Sequence, residues 1–296
     1  MDSRYRILVT GCNGQLGREF SYLSSQGHLK HNFTFVTKNE LDISNKFPVI
    51  EFFEKYPFDI IINCAAYTDV DGAENNNILA SKINHQGVAE IAKVAALRNM
   101  IFIHFSTDYV FDGTASKPYD EDTKPSPTTI YGKTKFDGEN AILRINPKGM
   151  IVRTSWLYSS YGKNFVKTIV NLGKNKTELK VVYDQTGSPT YARDLARKII
   201  SIIEAPVFLN QTKTTQVFHY CNLGEVTWYE FANEIFKLLG FDTDIIQPIT
   251  IESFQQKANR PKYSVLSSEK ISNTFDLDIP SWKSSLADCL SFMRNN

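Results

Sequence analysis

The first half of the chain alternates between two hydrophobic periods. Short segments rich in β-branched and aromatic residues lie at 6–10, 33–37, 59–65, 100–105 and 149–156. Segments with apolar residues at helical spacing lie between them, at 15–25, 46–56, 71–98 and 131–145. Strands that are apolar on both faces and separated by helices are typical of a parallel sheet with helices on both sides. The sequence therefore predicts an α/β fold with a doubly wound parallel (Rossmann) sheet.

After about residue 156 this alternation becomes irregular and prolines become more frequent. Helical spacing predicts helices at 163–172, 191–204, 228–239 and 282–293, and one strand at 179–183. We interpret residues 1–156 as the dinucleotide-binding core. Residues 157–296 are expected to supply the remaining sheet strands, interleaved with a smaller C-terminal substrate lobe.

Charge and composition exclude several classes of function. The formal net charge of the 296 residues is +1, without a long run of one sign, which gives no basis for binding nucleic acid or a membrane surface. No segment approaches the ~20 continuous apolar residues of a membrane span, and the first residues lack the apolar stretch of a signal peptide. The four cysteines are widely separated and lack metal-ligand spacing, so we expect reduced thiols and a cytoplasmic protein.

A glycine-rich loop, TGCNGQLG, joins the first predicted strand to the first predicted helix. Glycines allow a tight turn and a close approach of the backbone to a pyrophosphate, which then faces the N–H groups of the helix. The spacing is GxxGxxG, for which an ordinary turn is the alternative. The position between strand and helix favours a dinucleotide site with the candidate contacts Gly11, Asn13, Gly14, Gln15, Leu16 and Gly17.

The ends of the second and third predicted strands also bear on the cofactor. A carboxylate usually binds the 2′-hydroxyl of NAD after the second strand, but this chain has Thr37-Lys38 there. Lys38 can meet the 2′-phosphate of NADP, and a solvated loop lysine is the equal alternative. We therefore expect NADPH, with NADH as a second candidate. The small Ala65 and Ala66 after the third strand allow a ring or ribose to approach closely, or else a helix to pack tightly.

The strongest chemical signal is a tyrosine and a lysine four residues apart. Tyr131 and Lys135 share one face of a predicted helix, where an ammonium favours the tyrosinate and brings the phenol towards a useful pKa. The phenol can then give its proton to a carbonyl oxygen whose carbon receives hydride. Thr107 follows the fourth predicted strand and offers a hydroxyl to the same oxygen. A solvated helix face is the alternative for a YxxxK pattern that stands alone.

These motifs, in this order, resemble the extended short-chain dehydrogenase/reductases from about Arg6 to Trp282. STDYVFDG, RTSW and DQTGSPT together indicate the branch that reduces dTDP-linked 4-keto-6-deoxyhexoses. The resemblance implies an oxidoreductase of dTDP-rhamnose and polysaccharide biosynthesis. It would use NAD(P)H to convert dTDP-4-dehydro-L-rhamnose into dTDP-L-rhamnose.

The resemblance also implies a role for each matching residue. Tyr131 would be the proton donor, Lys135 its activator and a ribose contact, and Thr107 the third catalytic member. Asn84 would support the lysine through water, with a helix-surface amide as the alternative. Further cofactor contacts would be Asp42, Ile43, Ala65, Ala66, Tyr67 and Thr68, and the substrate would touch Thr107, Asp108 and Trp156.

Several expectations stay open at this point. A homodimer is a candidate assembly. Some relatives hold magnesium between two subunits, but only Glu19 resembles a ligand position here, so magnesium is a candidate that the sequence does not support and no metal ligand is assigned. Arg260 suits a diphosphate, with a surface salt bridge as the equal alternative. Two other functions compete: a reductase of another nucleotide 4-keto sugar, and a non-catalytic NADP-binding subunit like the beta subunit of methionine adenosyltransferase.

Overall fold

The computed structural model describes residues 4–175, 178–254 and 257–295. In chain order its strands are β1 (Arg6–Thr10), β2 (Asn32–Val36), β3 (Ile60–Asn63), β4 (Ile101–Thr107), β5 (Gly149–Thr154), β6 (Leu157–Tyr158), β7 (Leu179–Val182), β8 (Thr186–Gly187), β9 (Thr190–Tyr191), β10 (Thr215–His219), β11 (Val226–Thr227) and β12 (Ile246–Ile249).

The α-helices are α1 (Gln15–Ser25), α2 (Lys46–Lys55), α3 (Val70–Asn75), α4 (Asn77–Ser81), α5 (Val88–Leu97), α6 (Ile130–Ile145), α7 (Phe165–Gly173), α8 (Ala192–Glu204), α9 (Phe208–Gln211), α10 (Trp228–Leu239), α11 (Glu269–Phe275) and α12 (Trp282–Asn295). A π-helical turn, Lys82–Gly87, joins α4 to α5. None of the described helices is long and apolar enough to cross a membrane.

Six parallel strands form the central sheet in the order β10-β5-β4-β3-β1-β2. Alternate residues of β1 are buried on opposite faces: Ile7 and Val9 pack towards α1 and α8, and Leu8 packs towards α2 and α5. Burial on both faces is what the apolar strand segments predict, so the doubly wound fold is confirmed. The order reverses between the neighbouring strands β1 and β3, and ligands bind such sheets beside the carboxyl ends of the strands.

The second half of the chain contributes to the sheet and also builds a further apolar cluster. β10 is the sixth strand of the sheet and pairs with β5. Helices α7, α10 and α12 pack around Phe231, Phe236 and Leu286 in a cluster separate from those on the two sheet faces. The division into a cofactor core and a substrate lobe remains a prediction about function.

The structure differs from the predicted secondary structure in several places. The single helix predicted at 71–98 is broken, because Asn76 leaves helical geometry (φ −120°, ψ 43°) and the π-helical turn follows α4. The third and fifth strands end at Asn63 and Thr154, earlier than predicted. No individual strand was predicted for β10 or for the shorter strands β6, β8, β9, β11 and β12. The cysteines Cys12, Cys64, Cys221 and Cys289 are free thiols.

Candidate active site

A cleft of about 530 Å³ opens at the carboxyl edge of the sheet, between the starts of α1 and α6. Parallel strands bring residues that are distant in sequence to this one edge. The cleft brings together ten of the sequence-predicted site residues: Gly14, Gln15, Leu16, Ala66, Thr68, Thr107, Asp108, Tyr131, Lys135 and Trp156.

The glycine loop leaves the start of α1 open towards this cleft. Gly14 is the N-cap residue and provides no side-chain cap, so the first N–H groups of the helix are available to an anion. Gly11 has φ +64°, and a Cβ there would lie 2.6 Å from the backbone nitrogen of Ala65. A Cβ on Gly17 would lie 2.5 Å from the carbonyl oxygen of Gly11. The loop is therefore tight, and its open helix start fits a pyrophosphate.

The predicted cofactor contacts after β2 lie outside the cleft. The Lys38 ammonium is 3.9 Å from the Asp42 carboxylate, and both side chains are exposed. Asp42 also accepts hydrogen bonds from the amide and hydroxyl of Ser44. The Ile43 side chain is buried in the apolar core, which leaves its backbone for any ligand contact. Glu40, which the sequence interpretation did not use, accepts from the amide and hydroxyl of Thr37 at 2.8 Å.

Thr107 and Asp108 are held together at the end of β4. The Thr107 hydroxyl donates to Asp108 Oδ1 at 2.9 Å and accepts from the amide of Tyr109. Asp108 is 3% exposed, and its Oδ2 has no hydrogen-bond partner among the described residues. Burial raises the pKa of this carboxyl to about 6, while hydrogen bonds from Thr107 and Ser264 act in the opposite direction.

Tyr131 lies in the first turn of α6, behind the N-cap Thr129. Its ring packs edge-on against Tyr109, with centroids 5.5 Å apart. Burial raises the pKa of the Tyr131 phenol to about 12, and a hydrogen bond with Thr107 opposes this. The expected lowering of this pKa by Lys135 is not what the structure shows, because burial dominates. A phenol that keeps its proton is the form needed in a proton donor.

Lys135 lies one turn later on α6, and its ammonium contacts two residues of β4. It donates to the carbonyl oxygen of Phe105 at 2.6 Å and lies 3.3 Å from Nε2 of His104. Burial lowers the pKa of Lys135 to about 8, and the charge of Glu139 raises it in part. The sequence interpretation missed both His104 and Glu139, whose carboxylate forms a buried ion pair with Arg153 at 2.7 Å.

Asn84 does not contact Lys135 directly. It is buried in the π-helical turn, where its amide donates to the Tyr67 carbonyl and to the Thr134 hydroxyl and accepts from the Tyr67 amide. The predicted alternative of a helix-surface amide is wrong, since Asn84 is 0% exposed. Its side chain fixes the loop after β3, and a role through water remains a prediction.

Trp156 lies two residues beyond β5 in a strained backbone conformation, with φ 45°. Its indole stacks on Trp228, with ring centroids 3.3 Å apart and planes 4° apart. A Cβ on Gly187 would lie 2.4 Å from the same indole, so a glycine is needed there. Trp228, from the start of α10, was missed because nothing in its local sequence distinguishes it from a core tryptophan.

A second cavity of about 420 Å³ adjoins the cleft and shares Val70 and Tyr109 with it. Its lining is mainly apolar and includes Phe165 and Trp228, with Arg260 also on its wall. Arg260 donates to Asp71 at 2.5 Å and hydrogen-bonds Tyr109. The salt bridge considered as the alternative for Arg260 therefore exists, at the wall of a cavity.

The Glu19 carboxylate does not fit a metal ligand in this chain. Its Oε1 accepts from the hydroxyl of Ser159 at 2.6 Å, and its Oε2 accepts from Arg193 at 2.7 Å. The arginine supplies the positive charge that a cation would otherwise bring. Within 4–175, 178–254 and 257–295, no group of three or more His, Cys, Asp or Glu side chains could hold a metal ion.

A protein-family model matches the chain over nearly its whole length. The family is described as the RmlD substrate binding domain, and the match covers residues 5–295. Among curated proteins, the dTDP-4-dehydrorhamnose reductase of Aggregatibacter actinomycetemcomitans is 37% identical over 293 residues. That alignment covers 97% of this chain and 99% of that protein.

Solved structures resemble the whole fold. A crystal structure of a dTDP-4-dehydrorhamnose reductase from Clostridium acetobutylicum has a TM-score of 0.90 and 42% identity, covering 98% of this chain and 99% of that chain. The dTDP-4-dehydrorhamnose reductase of Bacillus anthracis, in complex with NADP, has a TM-score of 0.89 and 37% identity, covering 98% and 100%. The similarity thus extends over both halves of the chain.

Proposed function

The chain belongs to the RmlD substrate binding domain family, and from this premise we propose that it is an NAD(P)H-dependent reductase of a dTDP-linked 4-keto-6-deoxysugar. The substrate we assign is dTDP-4-dehydro-L-rhamnose, and the product is dTDP-L-rhamnose. One observation carries the proposal: Thr107, Tyr131 and Lys135 line a single cleft together with the open start of α1. The relatives named for this reaction match nearly the full length of the chain.

The chain's own residues supply the proton and the charge that the reduction needs. The nicotinamide cofactor supplies the hydride when it is bound. Tyr131 gives its phenolic proton to the sugar's ketone oxygen. The Thr107 hydroxyl turns its one hydrogen from Asp108 Oδ1 to that oxygen and orients it. The Lys135 ammonium stabilises the tyrosinate that remains. Asp108, with one oxygen unpartnered, accepts a hydrogen bond from a sugar hydroxyl.

The cofactor is proposed to be NADPH, with NADH as a weaker donor. The first N–H groups of α1 would receive the pyrophosphate, and Gly14, Gln15 and Leu16 line the cleft beside them. Lys38 would approach the 2′-phosphate from outside the cleft, competing with its ion pair to Asp42. The Bacillus anthracis relative was crystallised with NADP, which supports this choice.

The nucleotide of the substrate is proposed to occupy the apolar cavity beside the cleft. Trp228 and Phe165 offer aromatic faces there, which suit a pyrimidine base. Arg260 lies on the wall of this cavity and would contact the diphosphate. The sugar would then extend from this cavity into the cleft, past Trp156 to Tyr131.

The test is a substrate panel. NADPH oxidation is followed with dTDP-, UDP- and GDP-linked 4-keto sugars, and turnover is expected with the dTDP-linked 6-deoxysugar. Turnover confined to another nucleotide or sugar would replace the assigned substrate within the same reaction. Binding of NADPH without turnover of any keto sugar, together with a stoichiometric synthetase partner, would establish the regulatory-subunit alternative instead. Cytoplasmic location and a homodimer stay predictions.

A further inference from the structure

A hydrogen-bonded network of buried polar side chains runs beneath the cleft, from Lys135 into the sheet. His104 Nε2 lies 3.3 Å from the Lys135 ammonium, and His104 Nδ1 lies 3.0 Å from the side-chain amide of Asn63. The oxygen of that amide accepts from the Thr10 hydroxyl at 2.6 Å. All four side chains are at most 2% exposed. This network of buried side chains therefore runs from the cleft across β4, β3 and β1.

Counting protons restricts how these groups can be arranged. Burial, and secondly the charge of Lys135, lower the pKa of His104 well below its ordinary value, so its imidazole is neutral. A neutral imidazole has one N–H and one lone pair. If Nδ1 accepted from the Asn63 amide, Nε2 would carry the hydrogen and would point a donor at the Lys135 ammonium. That arrangement suits only an uncharged lysine.

The opposite tautomer suits the charged lysine. With the hydrogen on Nδ1, Nε2 accepts from the ammonium, and Asn63 turns its oxygen towards the imidazole. Amide orientation and histidine tautomer follow from the hydrogen-bond network. Turning the Asn63 amide places its nitrogen beside the Thr10 hydroxyl, which then accepts, and their 2.6 Å separation lengthens towards about 2.9 Å. Phe105 accepts a second N–H of the ammonium, which leaves the third for a ligand in the cleft.

We infer that His104 is the positioning residue of the catalytic lysine: its Nε2 accepts from Lys135, and Asn63 fixes the tautomer that makes this acceptor available. The inference rests on the proposed reductase function, because the charge on Lys135 matters to the chemistry only there. It also explains how the lysine is held while the Asn84 side chain is occupied by Tyr67 and Thr134.

The other charged and titratable groups around Lys135 do not replace this acceptor. Glu139, one turn along α6, raises the pKa of Lys135, but its carboxylate is bound by Arg153. Tyr131, one turn before, is a protonated phenol whose pKa is raised to about 12. From β4, His104 is the side chain that contacts the ammonium.

Two variants separate the two sides of the imidazole. His104→Gln places an amide near the former Nε2, where its oxygen can accept from Lys135. His104→Asn keeps a polar group near the former Nδ1 and leaves Lys135 without that acceptor. We expect His104→Asn to lower kcat about tenfold and to move the alkaline limb of the kcat profile about one pH unit lower. His104→Gln should recover most of both losses, with the KM for the sugar little changed in either variant.

The inference is overturned if both variants keep the wild-type pH profile, or if His104→Asn moves the limb to higher pH. The inference is also overturned if the two variants lose kcat equally and in proportion to their loss of unfolding free energy in urea. That result would show that His104 has a packing role alone. Nitrogen-15 NMR of the wild-type histidines needs no substrate, so it tests the inference even if the proposed function fails. The His104 signal, assigned by its loss in His104→Gln, should show Nδ1–H below the pKa of Lys135. Nε2–H in that range would contradict the inference.

Discussion

The indole rings of Trp156 and Trp228 lie parallel, with their centroids 3.3 Å apart. Trp156 lines the catalytic cleft and Trp228 lines the adjoining apolar cavity. The stack therefore forms part of the boundary between the proposed sugar and nucleotide sites. Each ring supports the position of the other.

Replacing either ring should weaken sugar binding. We expect Trp156→Ala and Trp228→Ala each to raise the KM for the keto sugar about tenfold. The double variant should raise this KM by less than the product of the two single increases, because the rings are in contact. The dissociation constant for NADPH should barely change, because the start of α1 is untouched. Steady-state kinetics and a cofactor titration measure both quantities.

The matched control is Trp282→Ala, which removes a buried tryptophan of the same lobe that packs edge-on against Phe231. It should cost about 3–5 kcal/mol of unfolding free energy without changing the KM for the sugar. If Trp156→Ala instead shows that stability loss with an unchanged KM, Trp156 is a core residue and the proposed sugar site is wrong.

The structure brings the predicted site residues together where their signal is local, and the sequence missed neighbouring residues where the signal is not local. The glycine loop, the end of β4 and the tyrosine–lysine pair are short motifs whose positions at strand ends follow from the alternation of strands and helices. His104 is a lone histidine in an apolar strand, and its role depends on Asn63 and Lys135, which are 41 and 31 residues away. The pairing of Glu19 with Arg193 spans 174 residues. Tertiary packing alone creates such contacts.

The alkaline limb of the pH profile should report Lys135. Burial lowers its pKa to about 8, so the ammonium is present below that pH and is lost as the pH rises through it. We propose that the ammonium stabilises the tyrosinate left by proton transfer, so kcat should fall over the same range. Lys135→Arg should be less active but should lack this limb, since a guanidinium keeps its charge. A wild-type profile that stays flat through this range would contradict the assignment.

Asp108→Asn should stabilise the protein near neutral pH. Burial raises the pKa of this carboxyl from 3.8 to about 6, so the folded protein binds the proton more tightly than the unfolded chain. Ionised Asp108 therefore destabilises the fold increasingly as the pH rises from 3.8 to about 6, and the full effect is present above about pH 6. The asparagine should add about 1–3 kcal/mol of unfolding free energy at about pH 7 and almost none at about pH 4. An equal effect at both pH values, by urea denaturation, would contradict this.

Lys38→Asp should shift the cofactor preference towards NADH. A carboxylate repels a 2′-phosphate and accepts from a 2′-hydroxyl, so kcat/KM for NADPH should fall about tenfold or more relative to NADH. Lys30→Asp makes the same change of charge at another exposed position and should leave the ratio unchanged. Equal ratios in wild type and Lys38→Asp would remove Lys38 from the cofactor site.

The most direct test of the account is single-turnover reduction of dTDP-4-dehydro-L-rhamnose by Tyr131→Phe with NADPH bound. The matched control is Tyr109→Phe. It removes the hydroxyl of a tyrosine in the same cleft and keeps the ring that packs against Tyr131. Loss of the proton donor should slow hydride transfer by ~10² or more in Tyr131→Phe, with NADPH affinity unchanged and a much smaller loss in the control. A Tyr131→Phe enzyme that keeps most of the wild-type rate would contradict the central claim.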